Sequence, residues 1–338
     1  MPKDTINWIA ADWGTTNLRV WAMSDHGQII DGNQSSQGMA AIANGDGNFE
    51  AALLELIHPW LNTQPLPVIA CGMVGAKQGW QEVPYASAPC SPVTPVSKIP
   101  TDSEQIEVYI HAGVSQNQPA DVMRGEETQV SGLLAEHPDF VGLVCLPGTH
   151  SKWVVIHNRE IQSFRTYLTG EMFSLLAEKS ILRLTTSNEG RDENAFHKGL
   201  LEAYEHPETF LSDCFSLRAE HLLHDLDSIS AYSRLSGLVI GNELSSALKK
   251  AQDPKPIALI GSGSISRNYK AALETLGRSV REYSATELTL KGLTHSLVSY
   301  SKRELDTRRK KIDSEMKDLL NEKPSDLSLS EIVRKSRR

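Results

Sequence analysis

Apolar runs broken by short polar turns set the rhythm of the N-terminal region. Trp8 to Ala11 is an apolar run that stops at Asp12-Trp13-Gly14-Thr15-Thr16-Asn17. An alternating run, Leu18-Arg19-Val20-Trp21-Ala22-Met23, follows and ends in a turn at Asp25-His26-Gly27. The pattern predicts two strands joined by a polar turn. It then recurs. Phe140 to Leu146 is apolar and stops at Pro147-Gly148-Thr149-His150-Ser151. Lys152-Trp153-Val154-Val155-Ile156 follows, then a turn at His157-Asn158-Arg159 and a third run from Ile161 to Tyr167. Gly14-Thr15 and Gly148-Thr149 stand 134 residues apart, far beyond any solenoid period. The repeat therefore predicts two related α/β domains, each opening with a hairpin. Helical patterns are expected at 49–61, 126–136, 171–183 and 195–205, with a last helix near 286–301.

Taken singly, either turn is ordinary, since glycine and hydroxyl residues favour turns anyway. As a pair they suit phosphate. Glycine lets the backbone approach a ligand, and successive N–H groups form a nest for anionic oxygens. Gly14, Thr15, Thr16 and Asn17 in one turn, and Gly148, Thr149, His150 and Ser151 in the other, would grip a triphosphate from two sides. Asp12 is the candidate Mg²⁺ carboxylate, acting through water, with Arg19 and Lys152 offsetting charge. A third cluster, Gly261-Ser262-Gly263-Ser264, follows the apolar run Pro256 to Ile260 and precedes a helical stretch from Ser266 to Leu276. That strand–glycine–helix layout suits a nucleotide, yet Ser266 stands where a dinucleotide fingerprint has its third glycine, and no GxxxxGK[ST] occurs.

Composition narrows the class. The 338 residues are 40% hydrophobic and 22% charged, with a net charge of −8, which suits a globular protein of two domains and argues against a polyanion binder, so no nucleic acid is expected. The four cysteines are far apart with no CxxC pair, the N-terminus lacks a secretory apolar stretch, and no membrane span is evident; a cytoplasmic enzyme is expected. No His/Cys/Asp cluster has metal-cage spacing, so structural zinc is not expected. Residues 301–338 hold 12 Lys+Arg against 8 Asp+Glu, a net of +4, leaving −12 on residues 1–300. That break predicts a charged extension outside the core.

In order, "DWGTTNLR", "PGTHSKW" and "LIGSGSIS" resemble the two phosphate hairpins and the adenosine segment of the acetate kinase/sugar kinase/Hsp70/actin superfamily. With "CGMVGAKQGW", "VMRGEETQVSGLL" and "FRTYLTGEMFSLL" they resemble more narrowly the 2-dehydro-3-deoxygalactonokinase family of bacterial galactonate catabolism, over about residues 6 to 300. The resemblance implies two ribonuclease H-like (actin-like ATPase) domains with an interdomain cleft. They would lie at 1–137 and 138–300, the last helix packing back on the first domain, with the extension at 301–338. It implies ATP and Mg²⁺ as cofactors, and phosphorylation of 2-dehydro-3-deoxy-D-galactonate at its 6-hydroxyl. Two other readings stay open: a kinase of this fold for another sugar or sugar acid, and a nucleotide-dependent regulator with little turnover. Oligomeric state is open.

Sugar kinases of this superfamily keep an Asp at a helix start between the two hairpins. Here that place reads Met123-Arg124-Gly125-Glu126-Glu127; no Asp occupies it, so Glu126 is the candidate, with Glu127 next. The acceptor's carboxylate calls for Arg or backbone N–H partners. Arg124, Arg165 and the loop carrying Gly72, Met73 and Lys77 are the substrate candidates. Gly261, Ser262 and Gly263 complete the nucleotide set.

Overall fold

A computed structural model describes residues 5–45, 47–249 and 256–300. Trp8–Trp13 is a strand buried on both faces, which is why it reads as a continuous apolar run; its neighbour Leu18–Met23 alternates because one face is less covered. Together they begin a six-stranded sheet, in the order Ile29–Ser35, Leu18–Met23, Trp8–Trp13, Leu66–Gly72, Ile106–His111 and Val96–Lys98. A five-stranded sheet runs Glu160–Tyr167, Ser151–His157, Gly142–Leu146, Ile257–Gly261 and Val280–Ser284.

The two sheets share one topology. In each, three consecutive strands pair antiparallel, a fourth adds parallel to the first on its free side, and a fifth adds parallel to the fourth. This is the ribonuclease H-like arrangement, present twice. Each opening strand lies between an antiparallel neighbour, its hairpin partner, and a parallel one, so both polar turns emerge from equivalent strand ends. Both sheets are closed by apolar clusters, the first holding Ile9, Ala11, Val20 and Leu53, the second Val144, Val154 and Ile260 on one face and Cys145, Phe196 and Leu259 on the other.

A smaller sheet, Ala86–Ser87, Val114–Asn117 and Ala120–Met123, was not foreseen. It leans on the second large sheet: the Phe164 N–H donates to Gln116 Oε1 at 2.9 Å, and the Thr166 N–H to Asp121 Oδ2 at 2.8 Å. The helix expected at 49–61 is α-helical over Phe49–Ile57 and tightens to a 3₁₀ turn at His58–Trp60, where Pro59 removes a helical donor. That expected at 171–183 starts earlier, at Thr169–Ser174, widens into a π turn at Leu175–Lys179, and breaks at Ser180 before the 3₁₀ turn Ile181–Leu184. Glu193–Glu205 is capped by Asp192, whose side chain accepts from the Ala195 N–H.

Residues 285–300 are helical. Over 285–295 this helix crosses the helix Glu126–Glu136 with almost no clearance: a Cβ on Gly132 would fall 2.0 Å from the Leu288 carbonyl oxygen, and one on Gly292 2.0 Å from that of Thr128. Lys291 Nζ reaches Glu136 Oε2 at 2.5 Å across the crossing. The extension expected at 301–338 lies outside the described residues. No helix among those described is long and apolar enough to cross a membrane.

Candidate active site

The first polar turn is held from behind. Its carbonyls at Gly14, Thr15 and Thr16 accept from the N–H groups of Met39, Ala40 and Gly38 at 3.0, 3.0 and 3.1 Å. In a trans peptide the C=O and the next N–H point opposite ways, so the N–H groups of Thr15, Thr16 and Asn17 face away from those contacts. A cavity of about 750 Å³ opens there, lined by Asp12, Gly14, Thr15, Thr16, Asn17, Arg19 and Thr149, among others. Gly38 makes the backing possible, since a Cβ on it would lie 2.2 Å from the Thr16 carbonyl carbon. The second turn repeats the device. Glu171 N–H donates to the Thr149 carbonyl at 3.0 Å, and a Cβ on Gly170 would lie 2.4 Å from the Gly148 oxygen.

Asp12 is next to last in the strand Trp8–Trp13 and forms an ion pair with Arg19, its register partner on the next strand. Burial raises the Asp12 carboxyl above its ordinary range, Arg19 pulls it back, and the nearby charge of Glu126 adds a smaller upward push. Asp12 and Glu126 are thus electrostatic neighbours, although their elements are more than 100 residues apart in sequence.

Glu126 and Glu127 open the helix Glu126–Glu136 behind Gly125, which holds φ +109° and packs against Gly72, itself at φ +90° beneath the Trp13 carbonyl. Positive φ at both positions restricts them to glycine at little cost. The two acids diverge from there. Glu127 is fully buried; both its oxygens accept from the Gly125 N–H, at 2.9 and 2.7 Å, and Thr128 Oγ1 donates to Oε1 at 3.2 Å. Burial, and then the charge of Glu126, push its carboxyl up to about 8. Glu126 is one-quarter exposed; Oε2 accepts from the Arg124 N–H at 3.0 Å and Oε1 lies 3.1 Å from Lys152 Nζ. Lys152 belongs to the second hairpin, so this ion pair ties the start of the helix to the hairpin of the sheet against which the helix's Val130, Leu133 and Leu134 pack.

A larger cavity, about 900 Å³, lies beside the second turn. Thr149, Gly170, Phe196, Tyr232, Ser264 and Asn268 are among its lining residues. Thr149 lines both cavities. The strand Ile257–Gly261 leads through Ser262 into the helix Gly263–Thr275, as the sequence pattern predicts, with Gly263 at φ +70°. It is the first turn of that helix, Ser264 and Ile265, that lines the cavity, and not Gly261, Ser262 or Gly263, the residues expected from the sequence.

The substrate candidates lie elsewhere. Arg124 is buried, donating to the carbonyls of Val83 at 2.8 Å and His111 at 3.5 Å and stacking on Tyr85 at 4.3 Å; its guanidinium is committed to the backbone. Lys77 and Arg165 are exposed, and neither lines either cavity. Met73 is half-buried and Gly72 buried, in the packing described above. His150 Nε2 meets Glu171 Oε2 at 2.6 Å on the rim of the second turn.

One buried group escaped the sequence reading. Glu243, on the helix Ser228–Lys249, accepts from Trp153 Nε1 at 2.6 Å, from Tyr269 OH at 2.5 Å and from Thr169 Oγ1. Burial raises its carboxyl. It thereby ties the second hairpin to the two helices flanking the larger cavity. No local motif marks it, because its three partners come from 90, 74 and 26 residues away.

A model of the 2-keto-3-deoxy-galactonokinase family matches residues 12–296. The chain belongs to that family. The matched span takes in both hairpins, the helix carrying Glu126 and the strand–glycine–helix segment. Curated relatives agree in length as well as in sequence. A Rhizobium meliloti (strain 1021) protein named "Probable 2-dehydro-3-deoxygalactonokinase" is 34% identical over 84% of this chain and 94% of its own. The Escherichia coli (strain K12) 2-dehydro-3-deoxygalactonokinase is 33% identical over 82% and 92%. A crystal structure of a Sinorhizobium meliloti protein assigned the same activity superposes with a TM-score of 0.82 at 33% identity, covering 87% of this chain and 99% of the other. The chain is a kinase of this sugar-acid family, and its duplicated sheet is the family's fold.

Proposed function

We propose that the protein transfers the γ-phosphoryl group of ATP to the 6-hydroxyl of 2-dehydro-3-deoxy-D-galactonate, giving the 6-phosphate and ADP. The observation that carries this reading is the convergence of two equivalent glycine–threonine turns, from two sheets of one topology, on the carboxylates of Asp12 and Glu126. The nucleoside is assigned to the 900 Å³ cavity and the phosphates to the space beyond Thr149, between Gly14–Asn17 and Gly148–Ser151. Arg19 and Lys152 supply positive charge around them.

Among the described residues no three His, Cys, Asp or Glu side chains cluster as a metal cage. Asp12 is the one carboxylate among the residues lining the cavity at the first turn, a donor that suits a hydrated Mg²⁺ held together with phosphate and water, the usual habit of this ion. Bound there, Mg²⁺ would neutralise charge on the transferring phosphate. Glu126 is assigned as the base: its carboxylate takes the hydroxyl proton while the acceptor oxygen attacks phosphorus. Phosphoryl transfer is mostly positioning and charge stabilisation, which is what two rigidly backed turns provide. All four cysteines are free, which fits a reducing cytoplasm.

The test is ADP release, measured with a coupled assay across 2-keto-3-deoxy sugar acids and neutral sugars. Preferred turnover of 2-dehydro-3-deoxy-D-galactonate supports the proposal. Preferred turnover of another sugar or sugar acid replaces the acceptor, and absence of turnover with every acceptor removes the kinase reading of this site.

A further inference from the structure

The two hairpins carry a cation at the same register position, and only one of them neutralises it locally. Asp12 and Leu146 each lie two residues before the turn glycine, and each pairs across its hairpin with a basic residue: Asp12 with Arg19, Leu146 with Lys152. In the first copy the ion pair closes within the hairpin. In the second, leucine stands where the aspartate would be. The Lys152 ammonium, only 6% exposed, lies 3.1 Å from the His150 carbonyl and 3.1 Å from Glu126 Oε1. A cation so far removed from water requires a counter-charge, and here it comes from outside the hairpin, from the start of the helix Glu126–Glu136. The same carboxylate is the one assigned above to take the acceptor's proton.

We propose that Lys152 is a catalytic residue that exchanges partners during the reaction, from Glu126 in the empty enzyme to the γ-phosphate when ATP is bound. The proposal rests on the phosphate and base assignments of the preceding subsection. Its chemistry is a handover. The ammonium is a compact point charge on a flexible stem, unlike the planar fork of an arginine. It sits on the turn that would cradle the phosphates, so the arriving γ-phosphate offers a denser negative charge than a single carboxylate. Moving there releases Glu126 Oε1 for the acceptor. The acceptor oxygen then forms its bond to the γ-phosphorus and its proton passes to Glu126. The bond between that phosphorus and the β,γ-bridging oxygen breaks, and its electron pair leaves with ADP. The base is thus withheld until the phosphate to be transferred is in place.

A double-mutant cycle on the whole chain tests this, with Lys152→Met, Glu126→Gln and the combination, read by thermal unfolding. In nucleotide-free protein and with Mg·ADP the two substitutions should be strongly non-additive. With a non-hydrolysable ATP analogue and Mg²⁺ they should become additive, because the pair has already parted. Lys152→Met should also weaken the ATP analogue by roughly 10–100-fold, the value of a charged hydrogen bond, while ADP affinity stays within about twofold. Lys152→Arg, which keeps the charge and the fold, should retain analogue affinity better than Lys152→Met and still lose kcat. Unchanged coupling in the presence of the analogue, or equal weakening of ADP and the analogue, would overturn the exchange and leave a static ion pair. The coupling and affinity readouts need no acceptor, so they remain decisive even where the sugar-acid assay fails.

Discussion

Three acids meet at this centre, and at the scale of single residues their surroundings assign them different work. Glu127 faces inward, and its proton is shared with the fold. Below about pH 4.5 both folded and unfolded chains keep that proton; between there and about 8 only the folded chain does. Stability from this group is therefore full in acid and lost as pH rises toward about 8. Melting curves should show wild type losing stability across that interval faster than Glu127→Gln, and parallel curves would remove the assignment. Glu126 faces outward to Lys152. Glu126→Gln should lower kcat by about 10²–10⁴-fold, the usual contribution of a general base, with little change in ATP affinity; Glu127→Gln should cost kcat much less. If steady-state kinetics put the loss on Glu127, the base is one residue further along. Asp12→Ala should fold, because Arg19 is about two-fifths exposed and can be hydrated, yet use Mg·ATP very poorly. ATP kinetics equal to wild type in a folded Asp12→Ala protein would dismiss its metal role. The sequence brought Asp12, Arg19 and Glu126 into view, but it could not separate Glu126 from Glu127. Adjacent residues in a first helical turn look alike until the packing of Gly125 on Gly72 shows which one is turned inward.

At the scale of elements, what the sequence concealed is mostly support. Turn residues announce themselves by type, whereas Gly38 and Gly170, which brace the two turns from behind, sit after a third strand with nothing nearby to point to them. Gly38→Ala would force a Cβ to within 2.2 Å of the Thr16 backbone. It should cost about 1–3 kcal/mol of stability, as overpacking does, and raise KM for ATP more than KM for the sugar acid; equal effects on both would mean the strain does not pass to the turn. The helix Ser228–Lys249 was hidden for a different reason. It is buried on nearly every side, so it lacks the polar face that gives a helix its period. Its glycines weaken the propensity signal as well. They are needed because a Cβ on Gly237 would meet the Phe196 carbonyl at 2.1 Å, and one on Gly241 that of Leu200 at 2.3 Å. The small third sheet was missed because its strands are only two to four residues long.

At the scale of the whole molecule, the repeat of one hairpin was enough to anticipate a duplicated fold, and five strands of each sheet bear it out, the first sheet adding Val96–Lys98 at its edge. The acceptor side was less legible: sugar-acid contacts carry no repeat, and the arginine nearest the proposed base turned out to hold backbone. The family match ends at residue 296, close to the change in charge at 301. A chain ending at residue 301 should therefore keep its turnover, measured by ADP release; loss of activity without aggregation would give the extension a part in the site. The crossing of residues 285–295 over the helix Glu126–Glu136 has a consequence for how the protein is made. A ribosome delivers the first sheet early, but the helix that covers Gly132 and Thr128 emerges almost last. Nascent chains halted before residue 285 would leave Gly132 and Thr128 of the helix Glu126–Glu136 without their cover, so a helix translated early is finished only when a segment translated late has been delivered.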